Sequence, residues 1–499
     1  LTEIKQSNTE NIKMGPMFAV MLIGAFVGIL NETLLATALP SIMEDFGLNE
    51  NKVQWLTTAF LLTNGVMIPI SAFLIESFST RKLFLTAFSI FGIGSIIAAV
   101  SHTFPLLLIG RIVQASGSGI MLPLMMTVVL TVIPREKRGG AMGMAGIVIS
   151  FGPAIGPTLS GWLLNYYSWR SLFYVVIPIV VLTVVIAYFT VKNVTKLSHP
   201  RIDIISIILS SLGFGGLLFG FSSAGEDGWS STKVLVTIIG GAVILAIFIW
   251  RQLRLKTPLL QFKVFKFNTF TLALIVTMIV MVSMIGAETL LPLYMQNLRG
   301  FTPLESGLML LPGAIVMGIM SPITGMLFDK LGARKLAIPG LAIVGVTTFV
   351  FTNLTIDTSF TFLSTIYAIR MFGLAMAMMP VMTAGLNQIP EEWNAHGSAM
   401  ANTMQQVSAS IGTAILITIM TSAVKSYEPD MSAVTDLSQL EAKQYVANQA
   451  LLHGYNTAFL VSSILALVGM ALVIFLKTSQ SDDKELETST ETKAEPTSI

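Results

Sequence analysis

The side chains here that could do chemistry are acids and cations set where charge is costly. Glu32 stands in NETLLATALP (31–40), directly after the apolar run FAVMLIGAFVGIL, with Asn31 and Thr33 beside it. Glu288 stands in AETLLPLYMQ (287–296), inside a second long apolar run. Arg111 and Gln114 lie in RIVQASGSG, and Arg370 lies in RMFGLAMAMMP, again among apolar residues. An ionised group deep in such a run costs about 2.5–3.5 kcal/mol on insertion scales, so it should face protein, water or an opposite charge. Carboxyls so placed can take up a proton or hold a cation. An arginine nearby can tune that exchange or serve as a buried hydrogen-bonding hub.

Other chemistries find little support. The chain has no cysteine, which excludes disulfides, thiolate metal sites and cysteine nucleophiles. His102, His199, His396 and His453 fall in or near loops without metal-ligand or catalytic spacing. Ser118 in GSG has no histidine at its depth on a neighbouring segment, so an intramembrane hydrolase is not supported. There is no Walker motif, so ATP hydrolysis is not expected as an energy source. No enzyme activity, metal, cofactor or nucleic-acid partner is expected.

The elements that must position these residues are long apolar helices. Hydrophobic residues make up 53% of the chain and charged residues 11%, with a mean hydropathy of +0.77. A soluble domain carries about 25% charge. Fourteen apolar runs of roughly 20 residues follow one another, from 17–39 to 454–476. They are too long, and too little alternating, for barrel strands. The first run is too long for a signal peptide and has no small-residue cleavage site after it. Lys and Arg crowd one set of loops, as at Arg81, Lys82, Arg135, Lys137, Arg138 and the run RQLRLKTPLLQFKVFK (251–266). The other loops hold Lys52, Arg170, Lys233, Arg299, Lys425 and Lys443. The positive-inside rule therefore places both termini in the cytoplasm.

The chain also repeats itself. Glu-Thr-Leu-Leu at Glu32 recurs at Glu288; ISAFLIESFSTRKL (70–83) matches ITGMLFDKLGARKL (323–336); IPREKRGGAMGMAG (133–146) matches IPEEWNAHGSAMAN (389–402); Arg111 pairs with Arg370. Four matches in one order, at nearly constant offset, indicate two parallel repeats. The expected organisation is an N-terminal tail (1–16), a six-helix bundle (17–193), two inserted helices (203–250), a basic interfacial linker (251–267), a second six-helix bundle (268–477) and a disordered tail (478–499).

With these motifs in place, the chain resembles a major facilitator superfamily transporter of the 14-helix drug:proton antiporter family, nearest to the Gram-positive lincomycin-resistance type. The resemblance covers about 17–477. It implies an all-α integral membrane fold of two six-helix bundles with two inserted helices. It also implies an inner gate loop between helices 2 and 3, with an acid at a helix end and a basic pair across a tight turn. The first copy is altered (Glu76, Arg81, Lys82, with Ala72 and Ser79 where glycines are usual), and the second is intact (Gly325, Asp329, Gly332, Arg334, Lys335). RIVQASGSG is similar to the family's proton-coupling motif in helix 4. GIVISFGPAIGPTLSG (146–161), with Gly152, Pro153, Gly156, Pro157 and Gly161, resembles the motif that marks antiporters. Those glycines allow close helix approach and the prolines bend the helix.

In helix 1, Gly24, Gly28, Glu32 and Ala36 recur at every fourth residue, a small-residue face that gives Glu32 somewhere other than lipid to point. Relatives often have an acid where Asn31 stands, so here the acid has moved by one residue. The expected mechanism has Glu32 and Glu288 exchanging proton for cationic drug in a cavity between the halves, with Asn31, Arg111 and Gln114 in support. Further cavity candidates are Phe60, Asn64, Phe151, Tyr294, Asn387, Asn402, Gln405 and Gln406. The 28 methionines would suit an adaptable apolar surface. The outer loop 425–453 is expected to carry a short amphipathic helix, and the basic run 251–266 to lie on anionic lipid. The expected partners are protons and small amphipathic or cationic drugs, with a monomer in the bacterial cytoplasmic membrane driven by the proton gradient. An importer, or an exporter dedicated to one metabolite or lipid, is the alternative.

Overall fold

The computed structural model describes residues 14–195, 197–198, 202–428 and 438–476. Among these residues all the regular secondary structure is helical. Fourteen helices are long and apolar enough to cross a membrane. We number them α1 (Met14–Ala36), α2 (Trp55–Ser77), α3 (Thr80–Ala99), α4 (Phe104–Val132), α5 (Arg138–Tyr166), α6 (Ser171–Thr190) and α7 (Ile204–Asp227). They continue as α8 (Thr232–Arg254), α9 (Asn268–Asn297), α10 (Pro303–Leu331), α11 (Ala333–Val350), α12 (Phe360–Leu386), α13 (Asn394–Lys425) and α14 (Gln439–Val473). In lipid a helix satisfies its own backbone donors and acceptors, which is why apolar runs of this length take this form.

Ten prolines within these helices do not break them, because neighbouring helices support the freed carbonyls. The outer loop differs from expectation. Residues 429–437 lie outside the described residues, and from Gln439 the chain is already part of α14 rather than a separate amphipathic helix. At 35 residues α14 runs about 50 Å, well past a hydrocarbon core of about 30 Å. The expected terminal tails fall mostly outside the described residues.

Helices α1 to α6 pack mainly among themselves, as do α9 to α14; among the described residues the contact of α5 with α10 is the most extensive, and α2 meets α13 on the other flank. The α5–α10 seam is made of small residues. Gly139, Gly143 and Gly146 of α5 lie against Gly325 and Ser321 of α10, so closely that a Cβ on any of them would overlap its neighbour. Because lipid tails are as apolar as leucine, such close packing supplies the association that a hydrophobic driving force cannot. The inserted pair α7–α8 packs on α2 and α13 from outside.

One end of the bundle carries Arg81, Arg135, Arg138, Lys256, Lys263, Lys330, Arg334 and Lys335; it is called here the basic end, and the other the far end. In the 251–266 run, Arg251 turns inward to pair with Asp203 at 3.0 Å, while Lys263 and Lys266 are exposed.

Candidate functional site

A cavity of about 590 Å³ lies between the two sets of six helices, the size of a drug site. Glu32 of α1 and Glu288 of α9 both line it, with Asn64 of α2, Ser118 of α4, Pro153 of α5, and Asn402, Gln405 and Gln406 of α13. The lining residues run from the middle of these helices toward the far end, where Gln54 precedes α2 and Phe221 and Ser222 lie in the last two turns of α7. The polar groups are few and the wall between them is apolar: Ile29, Leu61, Met121, Met281, Met284 and Ile417.

Each acid is aimed there by its own helix. The small face of α1 packs on the first half, with Gly24 against Phe84 and Gly28 against Ser118, leaving the next turn to carry Glu32 to the cavity. The equivalent position on α9 does the same for Glu288.

Behind Glu32 lies a buried polar cluster. Arg111 is fully buried, and its Nη1 donates to Asn31 Oδ1 at 2.5 Å and to Gln114 Oε1 at 3.0 Å. Its Nε donates to the Leu56 carbonyl at 3.5 Å, and Gln114 donates on to Ser95 Oγ at 2.8 Å. The guanidinium lies 4.1 Å over the Phe60 ring. Its remaining nitrogen, Nη2, makes no hydrogen bond to protein. The second half has a related cluster: Arg370 donates to Thr348 Oγ1 at 3.1 Å and to the Ser283 carbonyl at 2.6 Å, and its Nη1 is unpartnered. A buried guanidinium with a spare donor, beside a cavity carboxylate, can take that carboxylate when geometry or protonation changes.

Several expected cavity residues lie elsewhere. Phe60 is buried under Arg111 and does not reach the cavity. Phe151 packs across the α5–α10 seam against Gly318. Tyr294 is fully buried in the second half, with its hydroxyl donating to the Thr355 carbonyl at 2.5 Å and its ring edge on Tyr455. Asn387 caps the end of α12 and accepts from Arg138 at 3.1 Å. In each case an aromatic or polar type was right for a cavity, but the helix face was turned away from it.

The loops expected to gate also differ from a simple acid–base turn. Asp329 bonds across to α5, accepting from the Gly139 amide at 2.8 Å and the Gly140 amide at 3.1 Å. A carboxylate at a helix N-terminus satisfies orphan donors and meets the positive end of the dipole. Gly332 has φ +77°, a conformation other residues avoid, while Ser79 in the first copy has φ −64°. The altered copy therefore does not need its glycine. Glu76 turns away from Arg81 and pairs with His396 of α13 at 2.9 Å, while Arg81 lies over Tyr188 at 4.4 Å and Lys82 over Phe78 at 5.6 Å. Arg334 and Lys335 are exposed. Among the described residues, the charged contacts joining the two halves thus gather at the basic end, below the cavity.

In α5, Gly152 packs on Ile29 and Gly156 on Thr33 and Leu34, while Thr33 Oγ1 donates to the Gly152 carbonyl at 3.1 Å. Pro153 faces the cavity, and Pro157 and Gly161 lie toward α10. One helix thus touches the Glu32 helix, the cavity and the opposite half.

A model of the Major Facilitator Superfamily matches residues 21–413. The chain belongs to that superfamily. It is 51% identical to the uncharacterized MFS-type transporter YcnB of Bacillus subtilis, over 92% of this chain and 94% of that one. It is 43% identical to the lincomycin resistance protein LmrB of Listeria monocytogenes, over 94% and 98%. The fold matches the crystal structure of the human organic anion transporter MFSD10 with a TM-score of 0.65 at 13% identity, covering 92% of this chain and 99% of that one. This facilitator is a multi-pass membrane protein whose full-length relatives include resistance proteins.

Sequence reasoning missed the Gly139 and Gly140 amides, His396 and Phe221. Gly139, Gly143 and Gly146 could have been found from their spacing as small residues on one helix face. Nothing in the sequence marks His396 or Phe221, whose partners come from helices far away in the chain.

Proposed function

We propose that this facilitator exports amphipathic or cationic drugs in exchange for protons by alternating access, from the bacterial cytoplasm with both termini inside. The observation that carries this reading is the pair Glu32 and Glu288, one on the first helix of each repeat, both facing a single drug-sized cavity. Each is backed by a buried arginine with a spare donor. A proton and a cationic drug competing for one carboxylate is the chemistry of antiport. Arg111, Gln114 and Asn31 hold the electrostatics of that exchange, and the proton gradient supplies the energy with no cofactor. The contacts at the basic end, with the cavity on the far side of them, fit an outward-facing state. The names of the resistance relatives favour drugs over a nutrient as cargo.

Ethidium efflux from energised cells expressing wild type, Glu32→Gln or Glu288→Gln, with and without a protonophore, tests the reading. Wild-type efflux should stop with the protonophore, and at least one substitution should reduce it by about ten-fold or more, the scale of losing one proton-exchanging group. If wild type moves neither ethidium nor lincomycin, or if both variants match it, the reading fails.

A further inference from the structure

The inserted pair α7–α8 stands outside both repeats, yet α7 is wedged between them. On the α2 side, Leu218 fills the notch at Gly65, where a Cβ would overlap it, and Phe219 stacks on Trp55 at 5.7 Å. On the α13 side, Trp229 Nε1 donates to Thr418 Oγ1 at 2.6 Å, and Ala224 packs with Ala414. At the basic end the pair is stapled by Arg251 to Asp203 at 3.0 Å and by Gln252 to Ser206 at 2.6 Å. Held to α2 and α13 toward the far end, and to α8 at the basic end, α7 flanks the cavity on the side of α2 and α13.

Phe221 and Ser222 of α7 line that cavity. Among its described lining residues, Phe221 is the only aromatic one, and its ring is held against the edge of Trp229 at 6.2 Å and 65°. Phe60, Phe151 and Tyr294, the aromatic residues of the repeats that the sequence suggested, do not line it. We propose that the insertion supplies the cavity's aromatic surface, and that Phe221 selects planar aromatic cations by ring contact while Glu32 and Glu288 hold their charge. A cation or a flat ring gains from an aromatic face in a site from which water is partly excluded. The insertion would then be a specificity element, not packing alone. This deepens the export reading and rests on it.

The test compares transport kinetics of ethidium, a planar aromatic cation, and lincomycin, which has no aromatic ring, for wild type and Phe221→Ala, Phe221→Leu and Phe221→Tyr. Loss of one such contact should raise the ethidium KM about three- to ten-fold in the Ala and Leu variants with little change in kcat. Tyr should keep the wild-type value, and the lincomycin KM should be unchanged throughout. Leu retains apolar volume, so a Leu variant that handles ethidium like wild type overturns the proposal. So does an equal loss for both cargoes that Tyr does not rescue, which would mark Phe221 as structural. Wild type that moves neither cargo defeats the export reading instead, and a second measurement then decides this one. Because the chain has no cysteine, Ser222→Cys and Leu212→Cys can each be labelled alone in liposomes with a membrane-impermeant maleimide. Leu212 is 56% exposed on the outer face of the same helix. The Ser222→Cys variant should label several-fold faster than the Leu212→Cys variant; equal rates overturn the placement of this face in an aqueous cavity.

Discussion

At residue scale, the one-position shift between Asn31 and Glu32 decides which group does what. Successive helix positions differ by about 100°, so the two side chains leave α1 in different directions. Asn31 is 2% exposed and bonded to Arg111, whereas Glu32 reaches the cavity. An acid at 31 would sit on the guanidinium and not meet cargo. Asn31→Asp should therefore fail to rescue Glu32→Gln: protonophore-sensitive efflux should stay within about two-fold of the single variant, less than any restored proton-exchanging group would give. Recovery to wild-type rates would show that the two positions are interchangeable, against the geometry.

At the scale of elements, two helix termini make separate predictions. Asp329 caps the first turn of α5 from the opposite half, so Asp329→Asn keeps an acceptor but loses the charge facing the helix dipole. Such charge–dipole contacts contribute about 0.3–2 kcal/mol, enough to shift a two-state equilibrium several-fold toward opening at the basic end. Single cysteines placed on the seam in this cysteine-free chain should label faster from that side in the variant; unchanged labelling would mean the cap does not hold the closed state. At the far end, the short helix Leu39–Phe46 is clamped by Asp45, which accepts from Trp169 Nε1 and from Arg170, both at 3.0 Å. The indole bond first, and then Arg170, hold the Asp45 carboxyl below its usual range. A depressed folded pKa contributes stability above the unfolded value of about 3.9, and that contribution is lost as pH falls through the lower folded value. Asp45→Asn should lower thermal stability at pH 7 by at most about 1 kcal/mol, because the pair is exposed. The gap to wild type should close in acid, below the usual carboxylate range. A gap that persists there would assign the effect to packing.

At the scale of the whole molecule, the α5–α10 seam is the most extensive contact between the halves among the described residues, and the proposed alternating access requires its basic end to part. A Cβ on Gly140 would lie 3.3 Å from Met326 Cγ, close to where the sulfur of a cysteine at 326 would stand, which brings a disulfide within reach. With no native cysteine to compete, Gly140→Cys with Met326→Cys should cross-link on oxidation. Transport should then fall by about ten-fold or more and return on reduction, as for a lock on one of two required states. Full transport by the cross-linked protein would exclude parting of this seam.

Much of this was legible from composition and order alone. Runs of apolar residues dictate spanning helices because lipid offers backbone groups no other partner. The recurrence of ETLL, of the loop after helix 2 and of a buried arginine points to two repeats. The stripe Gly24, Gly28 and Glu32 likewise set which face of α1 turns from lipid. What the sequence left open is which faces meet across the chain. Tyr294 and Phe151 had the right chemistry for the cavity and lie off it, while Phe221, on a helix outside the repeats, lies in it. Glu76 found His396 and Asp329 found two backbone amides, partners that no local pattern encodes. Helix existence follows from local free energies of transfer and hydrogen bonding. The direction each side chain points is settled only by how small-residue faces pack, and that is a property of all fourteen helices together.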